Sequence, residues 1–104
     1  ILAIGSGNIT HNLREMNRAE PDGDGHDWVV EFADWVADAL ADGRIDDLTA
    51  WDTGAPHARR SHPSDEHFLP LFTALGAGGP TARAERIHTS YSYGSLAMDM
   101  YAFS

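Results

Sequence analysis

The 104-residue chain contains no cysteine. That excludes a disulfide framework, a zinc–thiolate site and a thiol nucleophile, and it fits a reducing compartment such as the cytoplasm. Basic residues are scarce as well: 7 Lys and Arg stand against 16 Asp and Glu, a formal charge of −9 at pH 7. A field of that sign repels phosphate backbones and anionic headgroups, so nucleic acid and membrane surfaces are not expected partners. There is no initiator methionine, no basic region of a secretory signal, and no apolar run long enough to span a bilayer. The first residues, Ile1-Leu2-Ala3-Ile4, already read as a strand covered on both faces. The expectation is therefore a piece of a larger protein, holding one domain at most. A domain of this size buries roughly 60 to 65% of its unfolded surface, enough for a modest core without a structural metal.

What the chain has in excess is histidine, 6 in so short a sequence, and histidine is the commonest metal ligand. The elements that carry these residues can be read coarsely. After Ile1–Ile4 comes Gly5-Ser6-Gly7, a tight turn at the carboxyl end of the strand. Glu20 to Gly25, "EPDGDG", is a turn whose Asp residues can cap a following helix. Apolar residues at Trp28, Val29, Phe32, Trp35, Val36, Ala39 and Leu40 then line one helical face, closed by Gly43. Ile45, Leu48 and Trp51 predict a second, short helix before the loop "TGAPHARRSHPS". "FLPLFTALGAGG" predicts a third, with Ser64 capping the turn before it and Pro70 near its first turn, where proline costs least. The aromatic and β-branched tail predicts two strands turning at Tyr93-Gly94-Ser95. The order is that of an α/β fold with too few strands to complete its own sheet.

Several motifs can be tested on spacing. The Gly5–Thr10 loop is not a dinucleotide fingerprint, because Thr10 stands where a small residue must let helix and strand pack. Nor is Gly5-Ser6-Gly7 a nucleophile elbow. What remains is a turn at the carboxyl end of a strand, where open α/β sheets bind ligands, with His11 delivered just beyond it. His62 and His67 flank Asp65-Glu66 without the zincin spacing, and a helix start between them leaves convergence open. His57, Arg59, Arg60 and His62 crowd one loop, either as a solvated segment or as a small positive patch for a carboxylate or phenolate. Trp28, Trp35 and Trp51 read as core, His26 as a surface residue at a helix start, and His88 as packed in or beside a strand.

Taken together, "IGSGNITHNLRE", "HPSDEHFLPLFTALGAG" and "SYSYGSLAMDMYAF" resemble three consecutive blocks from the C-terminal part of the class III extradiol ring-cleavage dioxygenases. The resemblance is to the 4,5-DOPA dioxygenase-like subgroup, related to the LigB catalytic subunits, and runs nearly end to end. It implies the C-terminal portion of a LigB-like α/β sheet with flanking helices, incomplete on its own, with residues 1–104 forming part of one catalytic domain.

The resemblance also implies a mononuclear non-haem iron(II), or zinc in its place, held partly by N-terminal histidine motifs. No "HGSP"-like or "SAHW"-like block occurs here, so a missing N-terminal half or a partner chain would supply those ligands. By motif, His67 matches the family's C-terminal metal ligand. His11 matches the histidine beside the metal that moves protons, with a ligand role also open to it. His57 and His62 match no functional position, and roles behind the ligands or facing substrate stay open.

The implied reaction is O2-dependent opening of a catechol-type ring outside its two hydroxyls. A side chain with a pKa near 6.5 suits it, since the catechol must lose a proton and recover it. The glycine turn then serves to aim His11, with no phosphate involved. Two other readings stand beside this one: a catalytically silent metal-binding relative or subunit fragment that completes an assembly, a homo-oligomer included, and a zinc hydrolase, against which stands the lack of an activated-water base near His67.

Overall fold

The computed structural model describes residues 1–104. Its spine is helix α1, Asp27–Ala41, which buries Trp28, Val29, Phe32, Ala33, Val36, Ala39 and Leu40 along one face, as the apolar spacing predicts. The helix stops in a Schellman arrangement. Gly43 takes φ +67°, its N–H donates to the Leu40 carbonyl at 3.2 Å, and the Arg44 N–H reaches back to Ala39 at 2.9 Å. At the other end the cap position is His26, which makes no side-chain cap bond, so the Asp residues of the preceding turn do not cap the helix as expected.

Beyond Gly43 the chain makes short helices rather than one. They are α2 (Ile45–Thr49), α3 (Trp51–Gly54) and α4 (Ala58–Ser61), the last a single turn inside the segment expected to be loop. Then α5 runs Leu69–Gly78 with Pro70 in its first turn. Ser64 does not cap the turn before it; its hydroxyl donates to the Glu66 carboxylate at 2.8 Å. The short helices close over α1 so that Leu48, Trp51 and Phe68 meet Phe32, with ring centroids 5.1 Å apart for Trp51 and Phe68 and 5.5 Å for Phe32 and Phe68. Edge-to-face packing of this kind adds to what burial alone contributes.

The tail forms two small antiparallel ladders. β1 (Ala84–His88) pairs with β4 (Met100–Phe103), setting Arg86 opposite Tyr101. β2 (Tyr91–Ser92) pairs with β3 (Leu96–Ala97) across the expected turn, where Tyr93 and Gly94 both adopt the left-handed conformation at φ +52° and +75°.

The strand expected at Ile1–Ile4 does not form. Ile1, Leu2 and Ile4 lie exposed at 130, 83 and 79%. A strand needs a neighbour to take its N–H and C=O groups, and no other segment of these residues pairs with this one. The glycines after it nonetheless pack closely. A Cβ on Gly5 would be driven into the Pro70 carbonyl, and one on Gly7 into the His67 carbonyl. The expected consequence is that Gly7→Ala forces backbone apart and costs about 1–3 kcal/mol in denaturant unfolding. Gly54→Ala, whose Cβ would enter open space, should stay within about 0.5 kcal/mol of the parent.

Candidate functional site

The site begins where the Gly5–Asn8 backbone runs alongside the start of α5. The Asn8 N–H donates to the His67 carbonyl at 2.8 Å, and the Ile9 N–H to Ala97 of β3 at 3.1 Å. Thr10 is fully buried: its hydroxyl donates to the Ser95 carbonyl at 2.8 Å and accepts the Ala97 N–H at 2.7 Å. That explains a threonine where a nucleotide-binding loop needs a small residue, because here the side chain ties the loop to the β2–β3 turn. His11 follows with its N–H on the Ser61 carbonyl at 2.8 Å. Asn12 caps the 3-10 turn Leu13–Glu15 and donates to the Arg60 carbonyl at 2.7 Å. Both neighbours of His11 are therefore fixed, and its ring direction with them.

The result is that His11 and His67, 56 positions apart in sequence, stack face to face, with ring centroids 3.6 Å apart and planes 14° from parallel. Partial burial, followed by the presence of His67, lowers the pKa of His11 and favours its neutral form. The other four histidines use a ring nitrogen elsewhere. His26 bonds the Glu15 carbonyl at 3.1 Å, His57 the Glu31 carboxylate at 2.6 Å, His62 the Ile9 carbonyl at 2.6 Å and His88 the Ser90 hydroxyl at 2.7 Å. Neither ring of the stacked pair hydrogen-bonds another residue; the open cleft lined by Ile4, Ser6, Glu66, Leu69 and Thr73 is formed by neighbouring residues and not by the two rings.

His57 thus faces α1 and does not join the pair. The positive patch allowed for at Arg59 and Arg60 is not free either. Arg59 pairs with Asp65 and Asp52 and lies 5.1 Å from the Trp51 ring; Arg60 clamps Glu15 and lies 4.5 Å from the Trp28 ring. His62 is wholly buried, stacked on Phe68 at 4.8 Å and edge-on to Phe32 and Trp51. Sequence reasoning missed Asn12, Thr10 and the placement of His62. Only Thr10, conspicuous for breaking the glycine pattern, offered a signal.

No group of three or more His, Asp or Glu side chains converges as a metal site. Two imidazoles do converge, those of His11 and His67, where the Asn8–Asn12 segment meets the entrance of α5. The chain belongs to the family described as the catalytic LigB subunit of aromatic ring-opening dioxygenase, which matches residues 1–104. It is 37% identical to a 4,5-DOPA dioxygenase extradiol of Beta vulgaris over its whole length and 39% identical to one of Portulaca grandiflora, in each case matching 38% of the relative. A Mirabilis jalapa relative of the same name is 38% identical over 88% of the chain and matches over 34% of its own length. The chain thus spans a little over a third of these relatives. The crystal structure of an uncharacterized protein of Escherichia coli K12 superposes with a TM-score of 0.72 at 26% identity, covering 92% of this chain and 40% of that one. No helix is long and apolar enough to cross a membrane.

Burial of His62 makes stability depend on pH. Its pKa is pushed down from 6.5 to about 4, chiefly by loss of water. On unfolding the ring regains its ordinary value, so between those limits the unfolded chain binds a proton that the folded chain refuses. The contribution is whole above pH 6.5, declines as pH falls, and is gone below about 4, a loss of roughly 3 kcal/mol at most. Urea midpoints measured from pH 7 down to 4 should fall accordingly, and His62→Phe should flatten that part of the slope.

Proposed function

We propose that these residues form the C-terminal part of a catalytic domain that opens a catechol-type ring outside its two hydroxyls, using O2 and a single iron(II), with zinc able to occupy the same place. The observation that carries this is the stacked pair His11–His67, the two histidines whose rings hydrogen-bond no other residue.

The donors suit such an ion in type, since neutral imidazole binds iron(II) and zinc well. They fall short in number, since catalytic sites of this kind use about three protein ligands. A missing N-terminal half or a partner chain would provide the others. A bound iron(II) supplies Lewis acidity and a path for electrons from the ring to O2. Both oxygen atoms enter the product, so no external reductant is needed.

The chain's own residues have distinct parts. His67 holds the ion. His11, kept neutral beside it, takes a proton from a substrate hydroxyl and returns it to a ring oxygen as the ring opens. Burial at Thr10 and Asn12 keeps that proton carrier in one place, which is how oriented groups lower a barrier. Glu66 is also near, 3.9 Å from His67 Nε2, and stays ionised, its carboxyl lowered by its own backbone N–H and by Ser64.

Two variants of the complete protein test these roles. His67→Ala should lose metal and activity together. His11→Ala should keep metal and bind the catechol while turnover drops roughly 10² to 10⁴-fold. Metal analysis beside single-turnover rates decides. A metal-free His11 variant would make His11 a ligand, and a metal-bound, fully active one would remove it from the mechanism.

A further inference from the structure

His62 presents a puzzle of cost. It is buried completely among Phe32, Trp51 and Phe68, yet only one of its nitrogens has a partner, and Nδ1 is left in the apolar core with none. Leaving a buried polar atom unbonded costs about 1–3 kcal/mol. A phenylalanine would fill the same slot without that cost, so what the imidazole adds must lie in its other nitrogen. Nε2 sits 2.6 Å from the Ile9 carbonyl oxygen. A carbonyl only accepts, so Nε2 carries the proton and Nδ1 is the bare nitrogen.

Ile9 is held from both sides, its N–H by Ala97 and its C=O by His62, and it stands two residues before His11. Four bonds join the segment around Ile9 to the segment leading into α5: Asn8 N–H to His67, His11 N–H to Ser61, Asn12 to Arg60, and His62 to Ile9. The last is the one that reaches out of the core. Its donor ring has no exposed surface and the Ile9 residue only 4%, so water has no ready path to replace it. The same ring stacks at 25° on Phe68, the residue next to His67.

We infer that His62 is a positioning residue for the His11–His67 pair, its Nε2–H fixing the Ile9 carbonyl, and so the segment that delivers His11, against the aromatic wall beside His67. It acts through the backbone and touches neither substrate nor metal. The inference rests on the function proposed above.

The test uses the complete protein and three substitutions beside the parent. His62→Phe keeps a ring in the slot and removes the donor. His62→Gln removes the ring and restores an N–H near the place of Nε2. With the fold intact by thermal unfolding and the metal retained, His62→Phe should lower kcat roughly 10- to 100-fold while KM changes little. His62→Gln should recover most of that loss. In the metal-free parent, ¹⁵N spectra at pH 7 should show His62 neutral, protonated at Nε2, and slow to exchange with solvent.

A folded His62→Phe variant with parental kcat would overturn the inference. So would a folded His62→Gln variant no better than His62→Phe, which would assign the effect to ring packing, or a spectrum with the proton on Nδ1. Should His62→Phe not fold, the Gln variant and the spectrum decide alone. His67→Ala is carried in parallel. If it stays fully active, the proposed function has failed; if it is inactive while His62→Phe is not, only the positioning role has.

Discussion

The site depends on how closely two stretches of backbone pass. At Gly5 against Pro70 and at Gly7 against His67 there is no room for a Cβ, and the Asn8–His67 hydrogen bond closes the gap. Everything that follows is a consequence of that approach. It brings a loop from one end of the chain onto the entrance of α5, and it leaves His11 nowhere to point except along the face of His67. A larger residue at either glycine would separate the two rings before it disturbed the core, which lies beneath them around α1.

Charge is handled locally around this contact. The chain carries a strong negative excess, yet its arginines near the site do not offset it broadly. Arg60 is bound to Glu15 through two nitrogens and lies against Trp28, and Arg59 is divided between Asp52 and Asp65. These pairs are exposed and add little stability singly. Their effect is on shape, since they brace the Asn12–Glu15 turn and the α4 turn on either side of His11. Inside that frame, burial lowers the pKa of both His11 and His62 and favours their neutral forms, which suits the proton carrier proposed for the first and the buried donor seen at the second.

Much of this was legible in the residues themselves. The α1 face, the Gly43 stop, the Tyr93-Gly94 turn and the place of Pro70 follow from local rules, because each depends on neighbours a few positions away. The pairing of His11 with His67 was suggested only by resemblance to a family, since no periodicity connects residues so far apart. Ile1–Ile4 has the composition of a buried strand but lacks a partner here, and composition cannot supply one. The α4 turn was hidden by the glycine, proline and charge around it. His62 could not be told from His57 by spacing; the first faces the core and the second Glu31, a difference made by which side of a single helical turn each occupies.

Membership of the LigB family and a likeness to solved structure fix the lineage of the fold. The central claim is narrower: that His11 and His67 border one metal site. Anomalous diffraction from crystals of the complete protein loaded with iron(II) without oxygen, or with zinc, tests it directly. The account predicts one strong metal peak about 2.0–2.2 Å from a ring nitrogen of His67, with the His11 ring beside it. A metal peak held by other residues, with His11 and His67 still stacked and apart from it, would contradict the account.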